Sequence, residues 1–157
     1  MPDRINARGS LMPPIFFRTR LGYTRAQIGQ RIKFWTGTVD HHGIVTGFTY
    51  DPATNTPHAL ITHTAPGLGV SETSQYEFCG YGLFEIVDEP KSLDHLRMIL
   101  ATAKKNIGMP YSLFQGNCEQ FASYCYTHRA ESPQLQSAVA ATLLVSAAVL
   151  ICHASRD

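Results

Sequence analysis

Asn117-Cys118-Glu119-Gln120-Phe121 is the stretch on which the reading of this chain turns. Asn is a favoured N-cap residue, and Asn117, following Gly116, marks the start of a helix running from Cys118 to His128. Cys118 then lies in the first helical turn, where unpaired backbone N–H groups and the helix dipole favour negative charge. A thiol so placed is expected to ionise more readily, and the thiolate is the nucleophilic form. The alternative is a small structural residue, since free Cys is among the most buried residue types.

Working outward, two upstream runs carry histidines at strand spacing. His41-His42-Gly43-Ile44-Val45-Thr46-Gly47 opens a strand that extends to Tyr50, and His58-Ala59-Leu60-Ile61-Thr62-His63 fills a strand from His58 to Thr64. Arg31 to Trp35 precedes them as a strand, Asp51 to Asn55 is a turn by composition, and Leu83 to Val87 is a further strand. Pro66-Gly67-Leu68-Gly69 breaks the pattern, and Val70 to Phe78 carries no decisive signal. Ser92 caps a second helix in which Leu93, Leu96, Leu100, Ala103 and Ile107 recur at helical spacing before Gly108 ends it. Strands followed by helices, and not alternating with them, predict an α+β domain with a small antiparallel sheet packed on helices.

The 157 residues suffice for one core, and a net charge of +1 with scattered basic residues implies no nucleic-acid partner. Cys79, Cys118, Cys125 and Cys152 form no C-x-x-C pair, so neither a zinc site nor a redox dithiol is expected, and no cofactor is implied. The apolar stretch from Leu11 to Phe17 is short and broken by Pro13-Pro14, unlike a secretory signal, so a reducing intracellular setting is the expectation, cytoplasmic or at a membrane. Residues 1–27 lack periodicity and read as a loosely ordered arm, 28–136 as the catalytic domain, and 137–157 as an apolar helix. From Ser132 to Ser155 there is no Asp, Glu, Lys or Arg. The apolar run is shorter than the roughly 20 residues of a spanning helix. Burial on the domain and association with a membrane both remain open for it.

A cysteine nucleophile needs an imidazole to take its proton and a third polar group to orient that imidazole. One histidine strand can supply the base and its neighbour the partner. Adjacent strand residues face opposite ways, so only one of His41 and His42 can serve, and the same parity separates His58 from His63.

His-x-Gly-Ile-x-x-Gly, then a strand ending Ile-x-His, then Asn-Cys-Glu-x-Phe resembles the lecithin retinol acyltransferase family, from about Gly29 to Gln136. Gly29-Gln30-Arg31-Ile32, Glu72-Thr73-Ser74 with Phe78, and Tyr111-Ser112-Leu113 extend the likeness. The resemblance implies a permuted papain-like fold of the NlpC type. It also implies His41 as general base and acid, His63 as its orienting partner, Cys118 as nucleophile, and the Cys118 N–H as oxyanion donor. It implies acyl transfer through a thioester, with an acyl lipid or phospholipid as substrate. A thiol amidase or peptidase of the NlpC type, or a non-catalytic module on the same fold, are the alternatives. Three positions depart from the family pattern. Val45 replaces the usual Tyr, Tyr50 to Pro57 looks inserted, which keeps His58 as a rival to His63, and Gln120 stands where His is common.

Overall fold

The computed structural model describes residues 15–20, 22–50, 55–80, 82–111 and 117–129, with the single positions 137 and 142. The chain enters through a hairpin, β1 (Phe16–Thr19) and β2 (Gly22–Arg25), paired antiparallel. Strand alternation puts Phe17 wholly inside while Phe16 faces water, and Ile15 and Ala26 are buried beside it. The expected loose arm over residues 1–27 is thus corrected over 15–26. Its three apolar side chains at alternating or flanking positions have a core to enter. Residues 1–14 lie outside the described residues.

Five antiparallel strands follow: β3 (Arg31–Trp35), β4 (Asp40–Tyr50), β5 (Pro57–Ala65), β6 (Gly69–Ser74) and β7 (Glu85–Asp88). Their order in the sheet is β6-β5-β4-β3-β7. The short helix α1 (Gln75–Cys79) begins directly after β6, where Ser74 and Glu77 form a capping box. Helices α2 (Leu93–Lys105) and α3 (Cys118–Thr127) close the described chain. The fold is α+β, as the run of strands before helices implies, and its antiparallel sheet is compatible with a permuted papain-like core.

The period-two alternation of β4 divides the interior into two cores. Val45 points into one, with Phe17, Ile32, Ile61, Phe78 and Phe84. Ile44 points into the other, against Ile99 and Ala103 of α2 and Phe121, Ala122 and Cys125 of α3. The buried face of α2 is centred on Ile99, Thr102 and Ala103, whereas Leu93 and Ile107, at the ends of the expected stripe, are exposed. Leu93 is the first residue of the helix, directly after its N-cap Ser92. A β-bulge between Val45 and Gly47 shifts the β4–β5 register, and the pairing continues to Tyr50 opposite Pro57. The predicted C-terminal helix of 137–157 lies outside the described residues apart from Ser137 and Thr142 (within its span), both helical. Among the described residues no helix is long and apolar enough to cross a membrane.

Candidate active site

Register, more than sequence distance, assembles the site. Gly43 on β4 is opposite His63 on β5, so His41, two residues earlier, shares the face of His63 on a diagonal. Their rings meet edge to face, with His41 Nε2 and His63 Nδ1 3.0 Å apart. Ile61 is opposite Thr73 on β6, so Thr73 lies on the same face one diagonal further. Its Oγ1 is 3.1 Å from His63 Nε2. Three adjacent strands therefore carry one hydrogen-bonded line, His41–His63–Thr73. Thr73 was named in the sequence only as part of a soft family feature; its partnership with His63 follows from the β5–β6 register.

The Phe78 ring covers both imidazoles at 5.0 Å between centroids, and Phe34 stands edge-on to His41 at 5.6 Å. Gly43 permits that cover, since a Cβ there would meet Ile61 Cγ2 at 2.5 Å and the Phe78 ring at 3.1 Å. This apolar setting disfavours the charged imidazolium. Burial lowers the pKa of His41, and burial followed by the neighbouring His41 lowers that of His63 to about 4. Both rings are neutral at pH 7.

Asn117 caps α3 through Oδ1, which accepts from the Gln120 N–H at 2.8 Å. Cys118 is half-buried in the first turn, and its Sγ lies 3.8 Å from the Asp40 carbonyl oxygen. The thiol thus rests against the β4 main chain, with the backbones of Asp40 and His42 flanking it. Helix-start backbone N–H groups at Cys118 and Glu119, and the backbone of His42, pull its pKa down, but burial outweighs them and the pKa is raised. The expectation of a more readily ionised thiol is corrected on this point. Desolvation of the thiolate exceeds the stabilisation the helix start provides.

His42 points to the opposite face, into the α3 side of the sheet. Its Nδ1 is 3.4 Å from Arg31 Nη2, and its Nε2 is 3.8 Å from Glu119 Oε1. Arg31 also reaches Asp88 at 3.3 Å and Ser123 at 3.4 Å. Burial first, then the Arg31 charge, pushes the His42 pKa down to about 3. Tyr126 locks the same region, its hydroxyl accepting from the Arg31 N–H at 3.0 Å and lying against the carbonyls of Gly29 and Asp88. His58 pairs with Thr49 at the far end of the β4–β5 ladder, five residues from His63 and so roughly 17 Å along the strand. It faces the other way. The β4–β5 register brings His41 and His63 together and leaves His58 outside, while the Cys118 thiol meets the sheet at the Asp40 carbonyl, the residue before His41.

The sequence model of the lecithin retinol acyltransferase family matches residues 24–131, from β2 past the end of α3. The chain belongs to the lecithin retinol acyltransferase family. No curated protein matches it closely enough to count as a relative. Within the family frame, Val45 fills the usual Tyr position with a fully buried side chain opposite Ile61, so that place is core in this chain. The strands β4 and β5 stay paired up to Tyr50 and Pro57. Among the described residues no group of three or more His, Cys, Asp or Glu side chains converges to hold a metal ion.

Proposed function

We propose that the chain is a cysteine-dependent acyltransferase or hydrolase that acts on acyl lipids through a thioester on Cys118. The observation that carries this reading is the 3.0 Å contact between His41 Nε2 and His63 Nδ1, with the thiol lodged on the main chain flanking His41. One set of neutral tautomers satisfies the whole line. His41 Nε2–H donates to His63 Nδ1, and His63 Nε2–H donates to Thr73 Oγ1, leaving His41 Nδ1 unprotonated. That nitrogen is the general base.

His41 Nδ1 takes the Cys118 proton as sulfur attacks the ester carbonyl of a phospholipid. The oxyanion forms at the start of α3, where the Cys118 N–H can donate to it. Collapse breaks the carbonyl–oxygen bond, and His41 returns the proton to the departing lysophospholipid alkoxide. The thioester is then attacked by an amine, an alcohol or water, whose proton passes to His41 and on to the released Cys118 sulfur. His63 orients the His41 ring and stabilises the imidazolium formed at each step. A non-catalytic module would have no need for two neutral imidazoles tied to a third polar group across a sheet whose β4 main chain holds a helix-start thiol.

Incubating the chain with phospholipid vesicles and weighing it intact tests this. The expected result is a fatty-acyl mass on Cys118, absent in Cys118→Ala and greatly reduced in His41→Ala. Peptide or amide cleavage without any acyl mass from lipid would replace this reading with an NlpC-type amidase.

A further inference from the structure

Trp35 is the single tryptophan of the chain and ends β3 with 59 % of its surface exposed. The β3–β4 turn beyond it is held by Thr36, whose N–H and Oγ1 both donate to the Val39 carbonyl, at 3.0 and 2.8 Å. Val39 is nevertheless 52 % exposed. Single exposed apolar residues are ordinary, but the position of this pair is not. Trp35 is directly opposite Asp40, and the Asp40 carbonyl is the group that Cys118 Sγ meets. Trp35 is therefore paired with the residue whose main chain the thiol rests against.

Behind the indole lies an open groove of about 870 Å³, walled by Tyr23, Phe34, Trp35, Phe84 and Ile86, with Leu83 at its edge. Phe34 is the same ring that stands edge-on to His41, so the inner wall of the groove is the outer wall of the site. The volume is that of a small-molecule site. Tyr23 and Leu83 are exposed at its rim. The charges lining it balance, since Arg20 and Lys33, the latter 2.9 Å from Asp40 and 3.5 Å from Glu85, offset the two carboxylates.

We propose that this end of the sheet is the face that meets a phospholipid bilayer. Trp35 and Val39 enter the interfacial zone, and the groove behind them receives an acyl chain of the lipid whose ester Cys118 attacks. This rests on the acyl-lipid reading of the site. Trp and Tyr favour the headgroup level, where an apolar ring meets lipid and its polar edge meets water. The ester bonds of a phospholipid lie at that level too, so a nucleophile resting on the residue paired with an inserted indole stands near the depth of its target. Neutralised charges suit a zwitterionic surface, and binding is expected to depend little on salt.

The test uses the full chain as Cys118→Ala, which cannot turn over, mixed with phosphatidylcholine vesicles. Trp35 emission should shift to the blue on binding and be quenched by lipids brominated along the acyl chains. Val39→Asp should weaken partitioning by at least about tenfold, since it removes an apolar side chain from the lipid and sets a charge there. Emission unchanged at saturating vesicles, or a Val39→Asp chain that partitions as well as its parent, overturns the proposal. Failure of the thiol chemistry would look different: Trp35 would insert, yet the unsubstituted chain would acquire no acyl mass.

Discussion

Cys118 and His41 are both held in their uncharged forms by burial, the thiol with a raised pKa and the imidazole with a lowered one. At rest the thiol and the imidazole are therefore both neutral, not a thiolate–imidazolium pair. Cys118 alkylation by iodoacetamide should accordingly climb as pH rises above neutrality. It should still outpace Cys79 and Cys125, whose thiols burial pushes up to about 11 and about 12. Mass mapping of the labelled cysteines against pH reads this directly; a flat profile from pH 6 upward would mean a preformed thiolate. His41→Ala should lower turnover of a soluble thioester by at least about a hundredfold, the usual share of a general base. His42→Ala should cost far less in turnover, because that ring serves the Arg31–Glu119 side of the sheet. At this scale the sequence was informative where parity and capping decide, as for His41 against His42 and for Asn117. It could not reveal that the thiol would be desolvated, because burial of Cys118 is made by β4, which is remote in sequence.

Elements set which side chains can touch, and the site depends on the β4–β5–β6 register. Thr73→Val would remove the acceptor of His63 Nε2–H and leave that buried donor unpaired. A lost hydrogen bond of about 1 kcal/mol should reduce kcat roughly fivefold, with KM little changed and Thr73→Ser restoring most of the loss. Steady-state kinetics on a soluble short-chain thioester would check it; unchanged kcat in Thr73→Val would remove Thr73 from the line. The strands β3, β4 and β5 were legible because their apolar residues alternate between Gly- and Pro-rich breaks. The segment Val70 to Phe78 was not, since it holds two elements, β6 and the five-residue α1, joined at Ser74. The Ser74-x-x-Glu77 capping box was the signal present in that stretch. The β1–β2 hairpin escaped notice because four-residue strands are too short to show a period, and its stability comes from Phe17 reaching a distant core.

Across the whole molecule, buried neutral histidines on both faces of the sheet tie stability to pH. The folded pKa values of His42, about 3, and His63, about 4, lie below the ordinary value near 6.5. Between those limits the unfolded chain binds protons that the folded chain refuses. Stability is then full above about pH 6.5 and falls as pH drops toward 4, by on the order of a few kcal/mol. Urea midpoints measured from pH 7.5 to 4.5 should decline, and His42→Gln should flatten the decline. The same accounting of what lies in the core separates the two ends of the chain. Among the described residues both cores draw on Ile15 to Tyr126, so a chain ending at Gln136 should fold with a nearly unchanged urea midpoint. A chain beginning at Gln27 loses Ile15, Phe17 and Ala26 from the core, and with Phe17 and Ile15 alone about 3–6 kcal/mol of burial. Stabilities of small domains are commonly only 5–15 kcal/mol, so that truncation should unfold most of the population or leave it molten. Circular dichroism and urea melts on the two truncated chains decide the matter. An intact, cooperative fold without residues 1–26 would show that the hairpin is an appendage, and collapse of the chain ending at Gln136 would make the tail a core element. The tail-truncated chain also bears on the membrane. If Trp35 and Val39 carry the bilayer contact, it should retain vesicle binding and turnover of vesicle lipid, whereas loss of both would assign that contact to the tail.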